Sequence, residues 1–138
     1  MQLKIYQENA IDDLLVKTKK LLEYSELKKL IFKSPTGSGK TIMMAEFLKR
    51  LVDDREVKHS LGIIWTAPRQ LHIQSRDKLE NYFERSRALK CSYFEDLDDR
   101  KISENEILFF NWESINKKDN IYIRDKVKIK RVKNYLVE

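Results

Sequence analysis

Ser34-Pro35-Thr36-Gly37-Ser38-Gly39-Lys40-Thr41 is the stretch on which the fold turns. An apolar run, Leu30-Ile31-Phe32, leads into it, and a helix-like run carrying Ile42, Met43, Met44, Ala45, Phe47, Leu48 and Leu51 leads out. Strand, glycine loop, then helix is the context that a phosphate-binding loop requires. Gly37 and Gly39 allow φ > 0 and let successive N–H groups converge on an anion. A helix starting near Lys40 adds the positive end of its dipole. In this pattern Pro35, Thr36, Gly37, Ser38 and Gly39 form the cradle, Lys40 reaches β- and γ-phosphates, and the Thr41 hydroxyl takes Mg²⁺. The chain has only three glycines, and two of them are here, which argues against an accidental match. Ser34 stands where the general pattern has its first glycine. A less strained turn is expected there, with the phosphate cradle retained.

At 138 residues a single domain with a real core is expected. Hydrophobic residues make up 41% and charged residues 36%, the balance of a soluble globular chain. No apolar run approaches the roughly 20 residues that span a bilayer, and Met1 to Tyr6 lacks the apolar core of a secretion signal. The single cysteine, Cys91, cannot form an internal disulfide, so a reducing cytoplasm is the expected location. Neither His59 nor His72 is near Cys91 in sequence, and packing is its expected role. Net charge is +6, and from Lys117 onward eight basic residues face three acidic ones, which accounts for five of those six charges. Such a tail, with Tyr122 and Tyr135, fits either contact with nucleic-acid phosphates or a solvated helix face.

Residues 5–22 read as an amphipathic helix, because Ile11, Leu14, Leu15, Thr18, Leu21 and Leu22 recur at three- and four-residue spacing. Just at its start, Gln7 has the carboxamide that can pair with both N6 and N7 of an adenine. A short strand is expected over Lys28 to Ser34, then a helix from Thr41 to about Asp54. Leu61 to Ala67 reads as a parallel strand covered on both faces. Gln70 to about Arg85 reads as a second helix, with Leu71, Gln74, Leu79, Tyr82 and Phe83 on or near one face. Cys91 to Phe94 suits a short strand, Glu95 to Lys101 an acidic loop, and Ile107 to Asn111 a buried strand. Asp125 to Glu138 fits a helix and a strand almost equally. Strand–helix–strand–helix is the pattern of an α/β domain with a parallel sheet flanked by helices.

Several of these stretches resemble one family. Tyr6-Gln7, Ser34 to Thr41, and Thr66-Ala67-Pro68-Arg69-Gln70-Leu71-His72-Ile73-Gln74 are similar to the Q motif, motif I and motif Ia of superfamily-two helicases, in the family's order. Phe109-Phe110-Asn111-Trp112-Glu113-Ser114-Ile115-Asn116-Lys117-Lys118-Asp119-Asn120 resembles the segment before motif II in the restriction (Res) subunit of type III restriction-modification enzymes. The resemblance implies a partial RecA-like P-loop NTPase domain, with residues 1–138 as the front part of the first of two such domains. It implies ATP and Mg²⁺ as cofactors, with Gln7 on adenine and Gly37 to Thr41 on the triphosphate and metal. It also implies Pro68, Arg69 and Gln74 against a nucleic-acid backbone, double-stranded DNA as substrate and a methyltransferase subunit as partner. No membrane is involved.

The family's next motif, an acidic strand end that holds Mg²⁺ and polarises water, has no clear match. Glu95-Asp96 follows too few apolar residues, and the run Ile107 to Phe110 ends in the uncharged Asn111. A second RecA-like domain, with its arginine finger, and a nuclease motif are likewise not found. The chain is therefore expected to be the front of a larger enzyme, binding nucleotide weakly with negligible turnover. Two other readings compete. A small P-loop kinase or GTPase is favoured by Asn116-Lys117-Lys118-Asp119, the guanine-reader string, but four residues, Trp112 to Ile115, separate that string from the buried strand. A non-catalytic nucleic-acid-binding module would instead use the basic C-terminal stretch.

Overall fold

The computed structural model describes residues 2–24, 28–57, 61–84, 89–111 and 135–137. In chain order the elements are α1 (Ile5–Leu22), β1 (Lys29–Ile31), α2 (Lys40–Asp53), β2 (Gly62–Ala67), α3 (Leu71–Phe83), β3 (Lys90–Ser92), β4 (Glu106–Asn111) and β5 (Tyr135–Val137). Two 3-10 turns, Phe94–Asp96 and Asp98–Arg100, lie between β3 and β4. All pairings among the described strands are parallel, as the alternation of helices and strands implies. The chain divides into two units, residues 1–60 with 133–138, and residues 61–132.

In the first unit the apolar stripe of α1 is realised as Ile11, Leu14 and Thr18, all buried, and Gln7 continues the same stripe one turn earlier. α2 buries Met43, Met44, Ala45, Phe47, Leu48 and Leu51. Gln7 meets Gly39 at the start of α2, and Lys19 pairs with Asp54 just past its end. The two helices therefore run side by side in the same direction. β1 pairs with β5 over Lys29↔Tyr135 to Ile31↔Val137. Among the described residues, only these three of the longer strand expected over Lys28 to Ser34 have a ladder partner. Beyond them the chain enters the turn set by Pro35, which lacks an N–H. Of the chain end that fitted helix or strand, Tyr135–Val137 is strand, and residues 121–134 and Glu138 lie outside the described residues.

The second unit is a three-stranded sheet in the order β2-β4-β3. Its central strand is buried from Glu106 to Phe110, so both faces are covered, as a parallel strand in an α/β layer requires. Leu108 and Phe110 pack with Phe94, Leu97, Ile64 and Ile102. Their neighbour Phe109 stacks instead on Trp65, ring centroids 5.9 Å apart. α3 lies against all three strands and buries Leu79 and Phe83.

Two expectations for this unit are corrected. Leu71 is 46% exposed, and Gln74 is exposed as well. Leu71 sits in the first turn of α3, where side chains lean back toward the helix start and away from the packed second half. Phe94 leaves the strand register, because the Asp96 carboxylate accepts the Tyr93 N–H at 2.9 Å and closes a 3-10 turn. The acidic loop from Glu95 is thus ordered by its own side chain, the local competition with strand pairing that Asp commonly offers.

Candidate functional site

The loop between β1 and α2 is built from two unlike glycines. Pro35 to Ser38 forms a turn closed by the Ser38 N–H on the Pro35 carbonyl at 3.2 Å. Gly37, third in that turn, has φ +80, and a Cβ there would meet nothing within 4 Å. Its requirement is conformational alone. Gly39 has φ +83, and a Cβ there would lie 2.5 Å from Gln7 Nε2. This position needs glycine for space as well. Ser34 does not have positive φ, so the missing first glycine costs no backbone strain. Its hydroxyl instead meets the Ser38 hydroxyl across the loop.

Gly39 is also the N-cap of α2, in the left-handed region and with no side-chain cap. The first intrahelical bond runs from the Met43 N–H to the Gly39 carbonyl at 2.9 Å. The first-turn N–H groups of a helix have no intrahelical partner, and no acidic residue stands in this first turn to take them. Lys40 and Thr41 are half-buried at this end, and among the described residues Lys40 forms no ion pair. A turn with two glycines at positive φ, an uncapped helix start and a lysine without an ion pair fit the triphosphate of a nucleotide. Thr41 follows Lys40 in the first turn of α2. A negatively charged group is what this end lacks.

Gln7 braces the loop. Its Nε2 donates to the Ser38 carbonyl at 3.0 Å, its Oε1 accepts the Lys4 N–H at 2.9 Å, and the residue is 9% exposed. The Tyr6 hydroxyl donates to the same Ser38 oxygen at 2.9 Å. Arg50, on α2, reaches Glu8 at 2.9 Å, Asp12 at 3.4 Å and Glu46 at 3.0 Å. It thereby ties α1 to the helix behind the loop. The Tyr6 contact and the Arg50 contacts to α1 had no signal in the sequence, since each joins residues more than thirty positions apart.

The residues of the third motif lie in the second unit. Pro68 and Arg69 follow β2 directly, at the carboxyl end of the parallel sheet, the end where such sheets bind ligands. Both are exposed, and Arg69 holds φ 55, uncommon for a residue with a Cβ. Gln74 is exposed one turn into α3. A cavity of about 210 Å³ opens beside this turn, lined by Gln70, His72, Glu95 and Asn111 among others. No cluster of three or more His, Cys, Asp or Glu side chains suited to a metal occurs among the described residues. Cys91 is buried, and burial pushes its thiol up to about 12, which leaves it unreactive at neutral pH. Packing is its role, as expected. The segment Trp112 to Asn120, with its Asn116-Lys117-Lys118-Asp119 string, lies outside the described residues, as does most of the basic tail.

No curated protein and no solved structure matches the chain. The family model described as type III restriction enzyme, res subunit, matches residues 1–136, and the chain belongs to that family of helicase-like, ATP-dependent enzymes.

Proposed function

We propose that this chain is the ATP-binding part of a DNA translocase, the restriction subunit of a type III restriction enzyme, working in the cytoplasm with a DNA-methylating partner subunit. Residues 1–138 would form the nucleotide-binding portion of the first RecA-like domain. The observation that carries the reading is the loop itself: Gly37 and Gly39 in the left-handed region, leading into a helix start with no side-chain cap. The loop from Pro35 to Gly39 wraps the phosphates, and the residues after Pro35 supply the backbone N–H groups. Lys40 supplies the positive charge that the β- and γ-phosphates need, and the Thr41 hydroxyl is the protein's ligand to Mg²⁺. When bound, the metal neutralises charge on the phosphates. Gln7 keeps one N–H and one lone pair beyond its bonds to Ser38 and Lys4, which is the pair that an adenine edge takes.

Pro68, Arg69 and Gln74 would meet the backbone of double-stranded DNA. Arg69 pairs with a phosphate, and Gln74 donates its amide N–H. Hydrolysis asks for more. Asp96 is engaged with the Tyr93 N–H, which leaves the Glu95-Asp96 pair a local turn device, and no arginine finger is in view among the described residues, a group worth about 10³–10⁵ in rate. The reading therefore combines nucleotide binding with negligible turnover by this chain alone.

Displacement of a fluorescent ATP analogue tests it, with steady-state phosphate release run alongside. The expected outcome is Mg²⁺-dependent binding that Lys40→Ala weakens at least tenfold, with phosphate release at background in both proteins. Wild-type protein that fails to bind ATP, or binds GTP in preference, overturns the ATP-binding reading. Robust turnover abolished by Lys40→Ala would overturn the second half.

A further inference from the structure

Tyr6 is half exposed, at 50%, so burial does not explain where its ring points. Its hydroxyl does. It crosses 32 positions of sequence to reach the Ser38 carbonyl at 2.9 Å, and Gln7 Nε2 donates to the same oxygen at 3.0 Å. A carbonyl oxygen has two lone pairs, and both are engaged by donors from α1 and its first turn. The peptide that joins Ser38 to Gly39 is planar and trans, so its C=O and its N–H point to opposite sides. Anchoring the Ser38 oxygen on α1 therefore turns the Gly39 N–H away from α1, and that N–H has no acceptor among the described residues. Two donors on the carbonyl also polarise the peptide and strengthen the N–H as a donor.

We propose that Tyr6 is a positioning residue of the phosphate site: together with Gln7 it fixes the Ser38–Gly39 peptide so that the Gly39 N–H is presented to a triphosphate. The proposal rests on the nucleotide-binding reading and adds to it a residue that acts through another, with no contact to the ligand. Gly39 is the counterpart that permits it. With φ +83 and Gln7 Nε2 where a Cβ would stand, another residue at Gly39 would push Gln7 Nε2 off the Ser38 oxygen.

Tyr6→Phe in the full chain removes the donor and keeps the ring. Competition against a fluorescent nucleotide, with ATP and with inorganic tripolyphosphate as separate competitors, reads the result. Both affinities fall by the same factor, about three- to tenfold, the worth of one hydrogen bond, while the melting temperature stays within about a degree. Loss for ATP alone would mean that Tyr6 touches the base, and unchanged affinity for both would mean that the clamp does not act; either result overturns the proposal. If the wild-type protein binds neither competitor, the nucleotide reading has failed, and the backbone amide order parameter of Gly39 without ligand decides the clamp. A lower order parameter in Tyr6→Phe sustains the held peptide; an unchanged one removes it.

Discussion

In the unit that carries the phosphate loop, the charged groups that bridge its helices keep one side in water: Arg50 is 31% exposed and its partners Glu8 and Asp12 are 42% and 67% exposed. In the sheet unit Glu106 is 1% exposed at the start of the central strand. It accepts the Ser92 hydroxyl at 2.7 Å and the Ser103 N–H at 2.9 Å, and Lys90 approaches at 3.5 Å. Exposed ion pairs are individually weak. A buried carboxylate with fixed donors is not, because losing it strands those donors without water. The loop is thus shaped by neutral contacts and backbone geometry, with charge free for a ligand, whereas the sheet spends a carboxylate on its own architecture.

The sharpest way to break this contrast is at Glu106. Glu106→Ala leaves the Ser92 hydroxyl and the Ser103 N–H without their acceptor, and about 2–4 kcal/mol of stability is expected to go. Glu106→Gln keeps an oxygen for Ser103 and an amide that Ser92 can accept, and should lose no more than about 1 kcal/mol. Urea unfolding measures both. Alkylation of Cys91 gives a local readout, because its thiol, pushed up to about 12 by burial, reacts only when the sheet unit opens. Equal losses in the two variants would show that the carboxylate matters for its charge and not for its acceptors.

The glycines of the loop come next. Gly37→Ala meets no neighbour within 4 Å and costs only the left-handed conformation, about 1–2 kcal/mol. Gly39→Ala carries that cost and also displaces Gln7, so its nucleotide affinity should fall by a further factor of about ten or more beyond Gly37→Ala, once the Ser38 carbonyl is released. Affinity for ATP measured in both variants checks the order. The reverse order would mean that the Gly37 turn, and not the Gly39 peptide, makes the decisive contact.

The same contrast explains what the sequence could show. α1 was legible from Ile5 to Leu22 because its stripe repeats at helical spacing, and the glycine turn ahead of α2 because glycine is so scarce elsewhere in the chain. The strand at Ile107 to Asn111 was legible because its apolar run is unbroken. Glu106 was not, since a charged residue ahead of that run reads as a solvated strand end and only the parallel register with Lys90 brings Ser92 near it. Nor was the burial of Gln7. Its place on the stripe one turn before Ile11 is visible in retrospect, but a glutamine at a helix start carries no signal of being covered. Leu71 erred the other way, an apolar side chain in a first turn that extends past the packed half of α3. What the sequence concealed were long-range pairings of polar groups, which periodicity does not encode.

Arg50 sets the lower end of the scale. It meets three carboxylates, on Glu8, Asp12 and Glu46, and a count of contacts would make it the strongest tie in the loop unit. Exposure argues otherwise: water screens each pair, and holding long side chains in one geometry costs entropy, so Arg50→Ala should lose about 0.5–1 kcal/mol. Most of that loss should vanish at about 1 M salt, where screening reaches about 3 Å, and Glu8→Ala should add little to it. Denaturant unfolding of Arg50→Ala, Glu8→Ala and the double variant at low and high salt separates the possibilities. A loss above about 2 kcal/mol that persists in high salt would assign Arg50 to packing through its aliphatic stem. The two units would then be alike after all, each held by a charged residue whose hydrocarbon or acceptors matter more than its charge.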